Sequence, residues 1–323
     1  MNMYKLCILL YIERVLYVRT LHLLGWPIWA IIEHLDEFKD QGFDSIQITP
    51  VQPLKEEGPG EWWLPYQPVN FEIGNWFGSK EDLCRLCNET SIRGMRTFVD
   101  VVCNHLASLP VKGSLEPHEL VPDKYKNNPN FWKPKRNVTN WNDRREVISL
   151  CMGLPGLNIS NDEVQNEIFK FLDELVKCGV KGFRFDAAKS IGLPEEGVHF
   201  WDRIANRYKT LPDFEIYGEV IFGSTELIDA YGKYMKVLTN NYQGKHPENV
   251  ILFAESHDSF NDEGLNKYSN SWSDEQVACK YRDLCGYFDN TMYYARPNND
   301  HSWNNPIVKD ANNKGQKMKV LYR

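Results

Sequence analysis

What most constrains this chain is a repeated pattern of short apolar runs of strand length. Most are followed by a stretch of helical period, and polar residues cluster where the runs end. The runs fall at 19–24, 43–49, 97–102, 182–186, 214–218, 235–238, 250–254 and 291–295, and helical patterns at 27–39, 79–93, 161–177, 198–208, 225–234 and 273–284 separate most of them. Such alternation with short connections predicts an α/β protein with a parallel sheet. Eight strands favour a (β/α)8 TIM barrel over a doubly wound sheet, which seldom sets polar groups at the ends of so many strands.

The alternation breaks once. From 106 to 152 the chain is polar and proline-bearing, without sustained periodicity, and carries Phe131, Trp132 and Trp141. This is a candidate small domain inserted after the third strand, dividing the barrel into 19–105 and 153–323. Two places look thin. The segment 240–248 is too short for a helix after strand 6, and only the polar stretch 309–323 is available after strand 8. The outer helix layer is therefore expected to be incomplete there, leaving apolar strand faces under-covered unless a partner covers them.

Composition narrows the partners. Among 323 residues the formal net charge is -7, which provides no basic footprint for nucleic acid or for an anionic membrane. Ten tryptophans and an aromatic share of 13% exceed what a core needs and suit stacking on sugar faces. The eight cysteines include one CxxC, Cys84 to Cys87, with no second set to complete a zinc site, and they read as reduced core thiols. Near the N-terminus the apolar run 6–12 is interrupted by Glu13 and Arg14 and lacks a small-residue cleavage site. That makes it a poor signal peptide and too short a span, so a cytoplasmic protein is expected.

The candidate site centres on GFRFDAAKS at 182–190. Alternate strand residues share a face, so Arg184 and Asp186 point the same way. An ordinary ion pair at a strand end would look alike; what distinguishes this one is its company. Asp100 with Asn104 and His105, Glu219, and His257 with Asp258 also follow strands, and in a barrel these ends converge on one face. Two carboxyls about 5 Å apart serve as nucleophile and acid/base in retaining glycoside cleavage. Asp186 beside a guanidinium suits the ionised nucleophile. Glu219, in the apolar setting YGEVI, suits a protonated acid.

These blocks resemble the α-amylase family of glycoside hydrolases. DVVCNH (100–105), GFRFDAAK (182–189), the glutamate of YGEV and FAESHD (253–258) are similar to its four short blocks, in order, and GLPGLN (153–158) to the extra block before the second. The resemblance implies Asp186 as nucleophile, Glu219 as acid/base and Asp258 as the carboxylate that stabilises the transition state. It implies Arg184, His105 and His257 around the sugar at the cleaved bond, Tyr66 stacked on it, and Trp62, Trp63, Gln67 and Lys189 in neighbouring subsites. The expected substrate is an α-1,4-glucan, with no organic cofactor and no nucleic-acid or membrane partner.

Three departures bear on that expectation. Gly156 stands where the family often has an aspartate for a structural calcium, leaving Asn104 as an oxygen ligand, whereas calcium takes six to eight oxygens. Ser190 stands where many members carry histidine, and the β-sandwich that usually follows the family's barrel is expected to be absent. A transglycosylase on the same site and a catalytically impaired carbohydrate binder are the alternatives.

Overall fold

A computed structural model describes residues 18–58, 61–261, 269, 271–272, 276, 279–280 and 290–294. Eight parallel strands close into a barrel in sequence order: β1 (Val18–Leu23), β2 (Ser45–Ile48), β3 (Arg96–Val101), β4 (Gly182–Phe185), β5 (Glu215–Glu219), β6 (Lys236–Thr239), β7 (Val250–Leu252) and β8 (Asn290–Tyr294). The expected architecture is present, and strand boundaries lie within a few residues of the apolar runs. All of the expected helix at 273–284 but residues 276 and 279–280, together with the stretch 309–323, the N-terminal run, Cys7 and Cys285, lies outside the described residues.

The pleat sorts side chains into two cores. Phe98, Tyr217, Leu238, Ile251, Phe253 and Met292 fill the barrel, while their neighbours, such as Val99, Phe183, Val237 and Leu252, pack outward against helices. The register pairs Asp100 with Arg184 and Arg184 with Tyr217, so one interior layer is polar. Gly182 permits this closeness. A Cβ there would lie 2.4 Å from the Glu215 carbonyl and 2.6 Å from the Phe98 ring.

Helices α1 (Ile28–Asp40), α2 (Lys80–Ile92) and α5 (Asp162–Lys177) bury the stripes that periodicity predicts, for example Ile28, Ile31, Leu35 and Phe38. Ser79 caps α2: its hydroxyl accepts from the Asp82 amide while the Asp82 carboxylate accepts from the Ser79 amide. Between β3 and β4 lie two short helices, α3 (Asp123–Lys126) and α4 (Arg144–Ser149). Tyr125 and Phe131 of this segment join the main core, and Val138, Val147 and Leu150 form a small cluster of their own. Helices α6 (Trp201–Tyr208) and α7 (Thr225–Gly232) follow β4 and β5.

Between β6 and β7 there is only a 3-10 turn, Pro247–Asn249, as the short segment predicts. The strand faces there are nonetheless covered. Val237, Val250 and Leu252 are buried, and Tyr242 of the connection joins their core. A second expectation also needs correcting: Cys84 of α2 and Cys178, which caps α5, form a disulfide rather than two reduced thiols. They are 94 residues apart, and only the packing of α2 beside α5 brings them together. Cys87, Cys103 and Cys151 are free and buried.

Candidate active site

At the carboxyl ends of β3, β4 and β5 one buried guanidinium holds three carboxylates. Arg184 Nη1 donates to Asp100 Oδ1 at 2.8 Å and to Asp186 Oδ1 at 2.9 Å, and Nη2 donates to Glu219 Oε1. Asp186 is the first residue past β4 and Glu219 the last of β5. The turn after Asp186 is forced by Ala187, whose φ of 48° is left-handed, and its amide donates to Glu219 Oε2 at 3.1 Å. That backbone position is what joins the two carboxylate-bearing strand ends.

Burial pushes both acids up from their ordinary values, against the pull of Arg184. The expected contrast, a cation selecting Asp186 for the ionised role, is not carried by the arginine, which bonds both. After burial and the opposing pull of Arg184, the charge of Asp186 is a further influence that raises Glu219. Asp100, fully enclosed, is raised to about 7, chiefly by burial. It accepts from Tyr66 Oη at 2.9 Å and from Gln47 Nε2 at 3.4 Å, and Tyr217 Oη donates to Gln47.

The aromatic wall is built on the 3-10 turn Leu64–Tyr66. The Tyr66 ring stacks on His257, with centroids 5.0 Å apart and planes 5° from parallel, and Trp62 lies 6.0 Å from the same imidazole. His257 and Asp258 open the short helix α8 (His257–Asn261), with four residues between it and β7 rather than at the strand's end, and His257 Nε2 is 3.3 Å from Asp258 Oδ1. His105 Nε2 donates to the Tyr66 carbonyl at 2.9 Å, and burial lowers this imidazole to about 4, so it is neutral.

The remaining candidates are less central. Lys189 Nζ donates to the Ile221 carbonyl at 3.3 Å, while Trp63 and Gln67 are both engaged by Lys55, which donates to Gln67 Oε1 at 2.6 Å. Asn104 Oδ1 accepts from Lys133 Nζ at 3.0 Å.

Sequence reasoning missed His22, Gln47 and Lys133. His22 is buried in β1, edge-on to His257 at 5.1 Å, and burial lowers it to about 3. Its signal was available: Thr20 and His22 alternate with Leu21 and Leu23, as an inward polar face should. Lys133 stands among other charged residues and carried no such signal.

A closed parallel barrel with acids converging on one end defines an enzyme-like barrel, and comparison with known proteins gives its family. Residues 28–309 match the sequence model of the alpha-amylase catalytic domain, and the chain belongs to the alpha-amylase family. An alpha-amylase of Clostridium acetobutylicum is 33% identical over 235 residues, covering 69% of this chain and 30% of the relative. The chain thus spans about a third of the length of the curated relatives it matches. Among solved structures, an Anoxybacillus alpha-amylase superposes with a TM-score of 0.73 at 18% identity, covering 95% of this chain and 80% of that one. An alpha-amylase of Geobacillus thermoleovorans, solved with acarbose, does so with 0.69 at 20% identity, covering 86% and 70%.

Proposed function

We propose that the chain cleaves α-1,4-glucosidic bonds of starch, glycogen or maltooligosaccharides with retention of anomeric configuration. The observation that carries this reading is the single guanidinium bonded to Asp186 and Glu219 at once, which keeps the two carboxyls side by side at the barrel mouth. The acarbose complex of the Geobacillus relative supports an oligosaccharide in the corresponding cleft.

In the first step an Asp186 oxygen attacks the anomeric carbon. The bond to the leaving oxygen breaks, and that oxygen takes the proton of Glu219. In the second step a water gives its proton to Glu219 and its oxygen attacks the same carbon, freeing Asp186 as carboxylate. Arg184 stays bonded to both acids throughout and balances the charge Glu219 acquires when it releases its proton. Asp100 holds Arg184 from the barrel interior. Tyr66, His257 and Trp62 wall the site, Asp258 faces the developing positive charge, and Lys189 lies on the leaving-group side.

The test is release of reducing ends from soluble starch, with the anomer of the first product read by proton NMR. Alpha product that disappears in Asp186→Asn and Glu219→Gln is expected; beta product, or undiminished turnover in either variant, overturns the reading. No helix among the described residues is long and apolar enough to cross a membrane. Disulfides persist in oxidising compartments, so the Cys84–Cys178 link favours an exported protein over the cytoplasmic one read from the N-terminal run.

A further inference from the structure

The family resemblance implies a calcium ion where the 106–152 segment meets the barrel, and the residues present there do not fit one. Calcium takes six to eight oxygens at roughly 2.3–2.6 Å, carboxylates among them. Gly156 offers no side-chain oxygen, Asn104 Oδ1 already accepts from an ammonium at 3.0 Å, and among the described residues no three acidic, histidine or cysteine side chains are grouped to hold a metal. A divalent ion beside that ammonium would meet repulsion in place of a ligand.

We propose that the Lys133 ammonium is the built-in cation of this junction, so that the inserted segment docks on the barrel without a metal. Lys133 is 93% buried by its exposure of 7%. Its Nζ donates to Asn104 Oδ1, just past β3, and to the Ser190 carbonyl at 3.0 Å, just past β4. Its own amide donates to the Gly156 carbonyl at 2.8 Å. One residue of the insertion thus ties together the three chain segments that a shared ion would bridge.

Gly156 and Lys133 also determine each other. A Cβ at position 156 would lie 2.8 Å from Lys133 Cδ, so a carboxylate-bearing side chain there and this lysine conformation exclude one another. A side chain at position 156 and Lys133 in this conformation are therefore alternatives at one place. A second insertion cation completes the clamp: Arg144 donates to the carbonyls of Lys189 and Ile191, on either side of Ser190, and is paired with Glu196. Three successive carbonyls after β4 are therefore held by cations from the inserted segment. The same junction leads into the barrel mouth, because Asn104 Nδ2 donates to His105 Nδ1 at 3.4 Å and His105 to the Tyr66 carbonyl.

The experiment reads folding, so it stands whether or not the sugar chemistry above is right. Thermal unfolding of the full chain is followed after exhaustive dialysis against EDTA and again in millimolar calcium. Expected is a wild-type Tm that moves by less than about 1 °C between the two, and a Tm lowered by about 5 °C in Lys133→Met, which leaves two buried acceptors unpaired. The double variant Lys133→Ala with Gly156→Asp should regain calcium response, its Tm rising on calcium addition. A wild-type Tm that falls in EDTA and recovers with calcium overturns the proposal, and so does a Lys133→Met variant that melts with the wild type. Should Lys133→Met not fold, the wild-type pair of melts still decides.

Discussion

Two buried cations in this molecule are treated in opposite ways. Arg184, 1% exposed, is surrounded by three carboxylates, while Lys133, 7% exposed, is met by a side-chain amide oxygen and a backbone carbonyl. A guanidinium among acids leaves excess negative charge in a dry place, and the acids respond by holding protons more tightly. An ammonium among neutral oxygens leaves nothing to titrate onto its partners, and it fastens segments together. Burial alone does not make a functional charge; the charge of the partners decides whether the site can move a proton.

That contrast breaks first, and furthest, at the acids. Asp186→Asn and Glu219→Gln should each lower kcat by about a thousandfold or more, the scale of a lost nucleophile or acid/base group. The pH profile shows which is which. On the proposed mechanism turnover needs Asp186 ionised and Glu219 protonated, so the acid limb should report Asp186 and the basic limb Glu219, both above the ordinary carboxyl range because burial raises both. With α-maltosyl fluoride, whose leaving group needs no proton, Glu219→Gln should recover the first step, read as a burst of fluoride release, and lose the basic limb of that step while keeping the acid one. A basic limb that persists in that variant would show that another group donates the proton.

Removing each cation tests the comparison directly. Arg184→Met strands three buried carboxylates and should cost roughly 3–5 kcal/mol in urea unfolding. Lys133→Met leaves two neutral acceptors unpaired and should cost about 1–3 kcal/mol. Equal costs would mean that the carboxylates around Arg184 are already neutral in the folded chain. The disulfide is a control outside both centres. Cys84→Ser with Cys178→Ser opens a link across 94 residues and should cost about 2–4 kcal/mol while leaving both limbs of the pH profile in place.

How far this was legible in the sequence follows the same division. The barrel could be read because strand and helix periods are local, and Asp100, Arg184, Asp186 and Glu219 because each lies at or near the carboxyl end of an apolar run. The Cys84–Cys178 link was hidden because helix packing, not spacing, pairs them. Lys133 was hidden because a lysine among Pro134, Lys135 and Arg136 looks like solvated surface, and only the fold brings it under Asn104 and Ser190. The vacancy at Gly156 was visible and its occupant was not. His257 and Asp258 were assigned to a strand end but open α8, since β7 stops at Leu252 and the intervening four residues have no period to read.

The smallest expected effect probes the link between the two centres. Tyr66 receives the His105 bond on its carbonyl and donates its hydroxyl to Asp100, so it is where the chain from Lys133 reaches the acids. Tyr66→Phe keeps the ring on His257 and the carbonyl on His105 and removes only the bond to Asp100 Oδ2. One hydrogen bond to a carboxylate is worth about 1–2 kcal/mol, roughly a five- to thirtyfold fall in kcat/KM. Because the hydroxyl touches Asp100 rather than the reacting acids, the loss should fall on kcat through a displaced Arg184, with KM nearly unchanged. A loss confined to KM would instead make the hydroxyl a sugar contact, and Asp100 would then hold Arg184 without help from the aromatic wall.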